Sequence, residues 1–288
     1  MKFYTENISI DSLDGYTLTA TLDVPTSADI KGGFLLLHGC PSYKDEYGFY
    51  GYESSINKIG MSEYFASRGY VCLRFNYRSQ GKDLSPNEMN DLSINGMVND
   101  TEAAFLLLNQ MVGQNIYVVA TSFAGAIALQ WAQGFQHDIS HLFLMCPLLE
   151  IRDTLRSRNI IAVDSYGQEK ATPEVVDALN QQGYIISGDR KMTRAFINEI
   201  LAVNAKKAFV DFAGTSTIFH GTMDTSVDYN TSVEYQKLSS EKCELILMKD
   251  LLHGFGPRKD MGYSPEERSC IKYKTWQNIY AEMEKRLR

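Results

Sequence analysis

The sequence predicts an α/β chain: a mostly parallel sheet covered by helices on both faces, interrupted once by an insert. Three observations predict it. From residue 33, short apolar runs alternate with stretches of helical periodicity. Those runs are continuously apolar rather than alternating, as in strands buried on both faces. The rhythm stops at about 148, resumes at about 214, and then continues to the last residues. A chain of 288 residues, 44% hydrophobic and 22% charged, has an ordinary globular composition and suits one large domain carrying an insertion.

The elements follow in order. Residues 2–10 and 16–23 alternate polar and apolar around the turn dipeptide Asp14-Gly15 and predict an antiparallel hairpin. Gly33 to Leu37 is a short strand ending in His38-Gly39. A loop rich in tyrosine follows (Tyr43, Tyr47, Tyr50, Tyr52), readable as pocket lining or as plain loop packing, then a helix over roughly 54–68. Tyr70 to Phe75 is the next buried strand, closed by the loop Asn76 to Pro86. Ile94, Met97, Val98, Thr101, Phe105, Leu108 and Met111 mark a helix, 115–120 a strand, and His141 to Cys146 another, stopped by Pro147. Within 148–213 the pattern predicts helices only, at 172–182 and at 190–212 through Met192, Phe196, Ile200 and Val203. Strands return at 216–220 and 243–248, with helices near 227–238 and over 265–287.

One serine stands out. In Val118-Val119-Ala120-Thr121-Ser122-Phe123-Ala124-Gly125 a β-branched strand runs into a small-residue turn, and a helix begins at once, with Ala124, Ile127, Ala128 and Trp131 on one face. A serine on so tight a turn is lifted above the sheet at a helix N-terminus. By itself Ser122 could be an ordinary helix N-cap. A serine hydroxyl is a weak nucleophile; it needs a base, usually histidine, and an acid to orient that base. Such groups gather beyond the carboxyl ends of parallel strands. Downstream of Ser122, Asp224 lies just past the strand at 216–220, and His253 a few residues past the strand at 243–248. Asp228 and Asp250 are rival acids. His137 and His141 are the other downstream histidines, and His220 sits inside the Asp224 run. His38 reads as a structural residue bonding loop backbone, and Cys40 is a poor nucleophile candidate before Pro41.

Taken together, His38-Gly39, the turn at Ser122, His220-Gly221-Thr222-Met223-Asp224 and His253-Gly254-Phe255 make the chain resemble the α/β-hydrolase superfamily, in its serine esterase, lipase and acyl-hydrolase branch. The resemblance covers nearly the whole chain. Arg74-Phe75-Asn76-Tyr77-Arg78 is also similar to the family's Asp-Tyr-Arg-Gly run, with Asn76 in place of Asp. Ala120 and Ala124 stand where the family usually has glycine, and Gly125 comes one place later. The resemblance implies an eight-stranded α/β-hydrolase core over 1–147 and 214–288, with 148–213 as a helical cap like that of feruloyl esterase-like and monoacylglycerol lipase-like members. It implies Ser122, Asp224 and His253 as the catalytic triad and the backbone N–H groups of Cys40 and Phe123 as the oxyanion hole. The implied activity is cleavage of a small or medium carboxylic ester through an acyl-enzyme. Thioester or amide cleavage and acyl transfer use the same machinery, and a non-hydrolytic ligand-binding member of the fold is a further possibility.

The remaining features exclude other classes. A net charge of −7 gains nothing from counterion release on nucleic acid. No run reaches the roughly 18 apolar residues of a membrane span, and Met1 to Glu6 has no apolar signal region. Five scattered cysteines fit free thiols in a reducing cytoplasm. Without CxxC, HExxH or clustered histidines, no metal and no cofactor are expected; the expected partner is a small acyl substrate. The oligomeric state is not legible in the sequence.

Overall fold

The structure, a computed structural model, describes residues 2–46 and 59–287. Tyr47, Tyr50, Tyr52 and the expected helix start at 54–58 lie outside the described residues. In chain order the elements begin with β1 (Phe3–Asp11), β2 (Thr17–Pro25), β3 (Gly32–Leu37), α1 (Met61–Ala66), β4 (Tyr70–Phe75), α2 (Ile94–Val112), β5 (Ile116–Thr121), α3 (Ala124–Phe135) and β6 (His141–Met145). The insert then supplies α4 (Ile151–Ser157), β7 (Ile161–Val163), β8 (Glu169–Ala171), α5 (Pro173–Gln182), β9 (Tyr184–Ser187), β10 (Arg190–Thr193), α6 (Arg194–Ala202) and α7 (Ala205–Asp211). The chain closes with β11 (Ser216–Gly221), α8 (Tyr229–Leu238), β12 (Cys243–Met248) and α9 (Pro265–Glu284).

Eight strands form one sheet in the order β1-β2-β4-β3-β5-β6-β11-β12. The β1–β2 hairpin pairs antiparallel to β4, and every pairing from β4 to β12 is parallel. The continuous apolar runs have their expected meaning: β3, β4, β5 and β6 are buried along their whole length. Successive side chains go to opposite faces. Leu35, Leu37, Val118, Ala120, Leu142 and Leu144 join a core under α2 and α3, while Phe34, Leu36, Tyr117, Val119, Phe143 and Met145 join a second core with α1 and α9. The α9 stripe of Trp276, Ile279, Tyr280 and Met283 is buried there, as its helical spacing predicts. Among the described residues no helix is long and apolar enough to cross a membrane.

The insert corrects the helices-only expectation. It holds two short antiparallel hairpins, β7–β8 and β9–β10, beside its helices. In the first, Asp164 Oδ1 accepts from the backbone N–H groups of Tyr166 (2.8 Å) and Gln168 (2.9 Å), and Gly167 takes a φ of 77°. In the second, Gly183 ends α5 in the left-handed conformation and Gly188 turns the chain back. The expected helix at 190–212 is a strand and two helices. Thr193 caps α6 and Asn204 caps α7 through bonds to Phe196 N and Lys207 N, so the chain restarts a helix at each.

Candidate active site

Ser122 stands between β5 and α3 with a φ of 52°. A non-glycine residue held there stores strain, and the turn is fixed around it. The Ser122 N–H donates to Met145 O (2.9 Å), while its carbonyl accepts from Gly125 N (3.0 Å) and Leu148 N (2.8 Å). The displaced glycine now has a reason. A Cβ at Gly125 would lie 2.6 Å from Pro147 Cβ, so close packing demands glycine one place after the position usual in the family, while Ala120 and Ala124 are simply buried. The Ser122 hydroxyl makes no hydrogen bond among the described residues. Beside it lies the loop after β3: a Cβ built on Gly39 would sit 3.7 Å from Ser122 Oγ.

Asp224 and His253 are brought together. Asp224 Oδ2 accepts from His253 Nδ1 at 2.6 Å, and the carboxylate is fully buried. Its Oδ1 accepts from Ser226 N (2.8 Å) and Val227 N (3.0 Å). Burial pushes this carboxyl's pKa up. The hydrogen bonds from His220 and His253, the His253 charge and the Val227 N–H outweigh burial and hold it well below the usual carboxylate range. In the neutral imidazole, an ionised Asp224 holds the His253 proton on Nδ1, so the free lone pair lies on Nε2. The rival acids are placed elsewhere: Asp228 caps α8 through Asn230 N (2.9 Å), and Asp250 is exposed.

Two loops must meet for that pair to form. The end of β11 touches the loop after β12 so closely that a Cβ on Gly221 would lie 2.3 Å from Leu251 O. Met223 N donates to Leu251 O (2.9 Å), and Asp250 N to Thr222 Oγ1 (2.9 Å). Phe255, buried, stands edge-on against Trp276 with ring centres 5.1 Å apart, pinning the histidine loop to α9.

Sequence reasoning gave His220 no role of its own, although its spacing, four residues before Asp224, was a signal. Its Nε2 lies 3.1 Å from Asp224 Oδ2 and its Nδ1 2.7 Å from Ser232 Oγ. With Nε2–H donating to the carboxylate, Ser232 donates to Nδ1, and the acid is held from both sides. Cys146, buried just past β6, was also not singled out; its Sγ, an Asp224 oxygen and a His253 nitrogen lie within 4.8 Å of one another. Such a trio offers metal-ligand atoms. The 2.6 Å Asp224–His253 contact, however, is a hydrogen bond, shorter than the roughly 3.3 Å between ligands on a tetrahedral zinc ion. Burial, and then the neighbouring Asp224 charge, push the Cys146 thiol well up, away from the thiolate a metal requires.

The candidate oxyanion donors share one property. Cys40 and Phe123 are buried, and neither backbone N–H has a hydrogen-bond partner among the described residues. Buried N–H groups are seldom left so. His38 orients the Cys40 donor. Its Nδ1 donates to Gly39 O (2.6 Å), across the same peptide that carries the Cys40 N–H, and its Nε2 accepts from Tyr77 N (3.2 Å). Burial lowers the His38 pKa to about 4, so the ring is neutral and its tautomer fixed. Asn76 stabilises the same loop, accepting from Lys44 N at 2.7 Å. From the insert, Arg190 donates to the Cys40 carbonyl through Nε (3.0 Å) and Nη2, with its guanidinium 5.5 Å from the centre of the Phe123 ring.

Comparison with known proteins agrees with this architecture. The family model described as alpha/beta hydrolase fold matches residues 34–159, which include the β3 loop and the Ser122 turn. No curated protein matches the sequence significantly. Among solved structures, Est1E from Butyrivibrio proteoclasticus, with ferulic acid bound, is similar at a TM-score of 0.65 and 19% identity, over 94% of this chain and 99% of that one. The Pyrococcus furiosus esterase Pf2001 gives 0.62 and 16%, over 99% and 93%. An acylaminoacyl peptidase from Pyrococcus horikoshii gives 0.63 and 12%, over all of this chain and 42% of its own. The chain has the α/β-hydrolase fold. Esterases and a peptidase on one fold leave the bond cleaved to be argued from the site.

Proposed function

We propose that this α/β-hydrolase-fold chain is a serine hydrolase that cleaves a carboxylic ester of a small or medium acyl group, with Ser122 as nucleophile, His253 as base and Asp224 as acid. The observation that carries the reading is the buried 2.6 Å Asp224–His253 bond, delivered beyond the sheet on the same side as a strained serine. In the reaction His253 Nε2 takes the Ser122 proton as Oγ bonds to the ester carbon. The oxyanion forms against the Cys40 and Phe123 N–H groups. The ester C–O bond breaks, and the proton passes from His253 to the leaving alcohol. Water then gives a proton to Nε2 and its oxygen to the acyl carbon; the bond to Oγ breaks, and the proton returns to Ser122. The mechanism requires His253 Nε2 within hydrogen-bond reach of Ser122 Oγ in the substrate complex. Residues 148–213 act as a cap over the site; Arg190 on the Cys40 carbonyl and Phe196, 6.4 Å from Phe123 between ring centres, support this. The free cysteines suit the cytoplasm.

A fluorophosphonate probe tests the nucleophile. Wild-type protein is expected to be labelled and Ser122→Ala not; folded wild-type protein that stays unlabelled would sink the reading. A panel of p-nitrophenyl esters, acyl thioesters and aminoacyl anilides then ranks ester against thioester and amide cleavage, with the ester expected first.

A further inference from the structure

Among the described residues, no carboxylate neutralises the charge of Arg190. Most described arginines lie within 4 Å of a carboxylate; even buried Arg74 and Arg78 are paired with Asp23 and Asp100. Arg190 is half-buried, and its two hydrogen bonds go to a neutral carbonyl, that of Cys40. The neighbouring Asp189 is exposed and makes no ion pair with it. Arg158, also without a carboxylate partner among the described residues, donates to Ser187 O (2.8 Å) and lines the same cleft as Arg190. That cleft also touches Phe123, Leu155, Met192 and Phe196; its volume is about 10 Å³, room for about one water. A guanidinium taken partly out of water without a counter-charge is costly, and an incoming anion would offset that cost.

The sheet order says which part of a substrate meets it. Cys40 follows β3 on one side of β5, whereas Asp224 and His253 follow β11 and β12 on the other. The leaving alcohol must depart towards His253, so the acyl group extends to the β3 side, where Arg190 stands. The oxyanion at Cys40 N–H and an anion at Arg190 would be separated by three hydrogen bonds, one residue of backbone and the width of the guanidinium, at most roughly 15 Å and less where that path bends. Resting on the ester-hydrolase reading above, we infer that the acyl group cleaved by this protein carries a terminal carboxylate about four methylenes from its ester carbonyl, and that Arg190 is the specificity-determining residue that binds it.

The test compares kcat/KM for mono-p-nitrophenyl adipate and p-nitrophenyl hexanoate, equal in chain length but ending in a carboxylate and a methyl group respectively, in wild type, Arg190→Gln and Arg190→Lys. Because Arg190 also bonds Cys40, a variant can slow both esters, and the ratio is what is read. Wild type is expected to favour the adipate ester roughly tenfold, less at high salt; Arg190→Gln brings the ratio to about one, and Arg190→Lys keeps part of it. A wild-type ratio near or below one, a ratio that survives Arg190→Gln, or labelled protein inert towards the adipate ester overturns the inference. Fluorophosphonate labelling separates the two readings: labelled protein without an anion preference refutes the carboxylate alone, while unlabelled folded protein refutes the hydrolase reading beneath it.

Discussion

The sheet and the insert hold their functional side chains in different ways. At the ends of β3, β5, β11 and β12 the candidate groups sit on turns with no room to move: Gly221 against Leu251, Gly125 against Pro147, His38 bonded to the Gly39–Cys40 peptide. In the insert the strands are three or four residues long and mostly exposed or half-buried. Beside the backbone bond from Leu148 N to Ser122 O, side chains tie it to the rest of the fold, among them Arg190 to Cys40, Lys191 to Asn90 and Glu199 to the start of α2. Sites on rigid elements keep their geometry to within fractions of an ångström, whereas long side chains allow adjustment. The sheet is therefore the part expected to carry chemistry, and the insert the part expected to carry selection.

The largest expected effect breaks the sheet side. Asp224→Asn leaves shape nearly unchanged but removes the charge that fixes the His253 tautomer; kcat for a good ester should fall roughly 10⁴-fold. A loss of less than tenfold would mean that Asp224 does not serve His253 in this way. Next comes a matched pair of glycines. Gly221→Ala forces a Cβ to 2.3 Å from Leu251 O and must move the histidine loop, costing about 2–3 kcal/mol of stability and roughly 10² in kcat. Gly167→Ala, in the β7–β8 turn, meets nothing within 4 Å and pays only for its φ of 77°, about 1 kcal/mol, with kcat unchanged. Denaturant melts and steady-state rates on both variants check this; equal losses of kcat would erase the distinction between the regions.

The same contrast governs what could be read from the sequence. β3 to β6 were legible because a parallel strand buried on both faces leaves a continuous apolar run. Ser122 and Asp224 drew attention because each follows such a strand within a few residues, and His253 because it follows β12, an edge strand whose apolar run is only partly buried. The insert hairpins were not: three residues are too few to show a period of two, although Asp164 to Gly167 and Gly188-Asp189 are turn signals. The split at Val203-Asn204 was hidden by apolar spacing that continues across it. Arg190 could not be found at all, since it meets Cys40 across 150 residues. The pairing of His220 with Asp224 lay between these cases, local in sequence but silent about which way the ring points.

Stability against pH probes the β3 loop directly. The His38 pKa is lowered from 6.5 to about 4. Between those values the unfolded chain binds a proton that the folded ring refuses. The contribution is therefore complete above pH 6.5 and is lost as pH falls towards 4, by about 3 kcal/mol. Asp224, depressed below the ordinary 3.8, loses its contribution only at lower pH still. Urea melts across this window should slope in wild type and flatten in His38→Asn. An identical slope in the variant would assign the titration to other groups.

The smallest effect tests how much the insert's polar ties add to its apolar ones, for Phe196, Ile200, Ala208 and Phe209 are buried in the same core as α2 and α3. Glu199 Oε2 accepts from Ile94 N at 2.6 Å and Oε1 from Asn95 Nδ2 at 2.9 Å, placing a carboxylate at the positive end of α2. Ser93 already caps that helix through Gly96 N. Glu199→Gln retains the shape and removes the charge, so it should cost about 1 kcal/mol. Its kinetic mark should fall on KM rather than kcat, because the groups at the strand ends do not depend on it. A destabilisation as large as that of Gly221→Ala would mean that insert and sheet unfold as one unit. A fall in kcat with KM unchanged would mean that the insert positions the reacting groups themselves, and the division between chemistry in the sheet and selection in the insert would then fail.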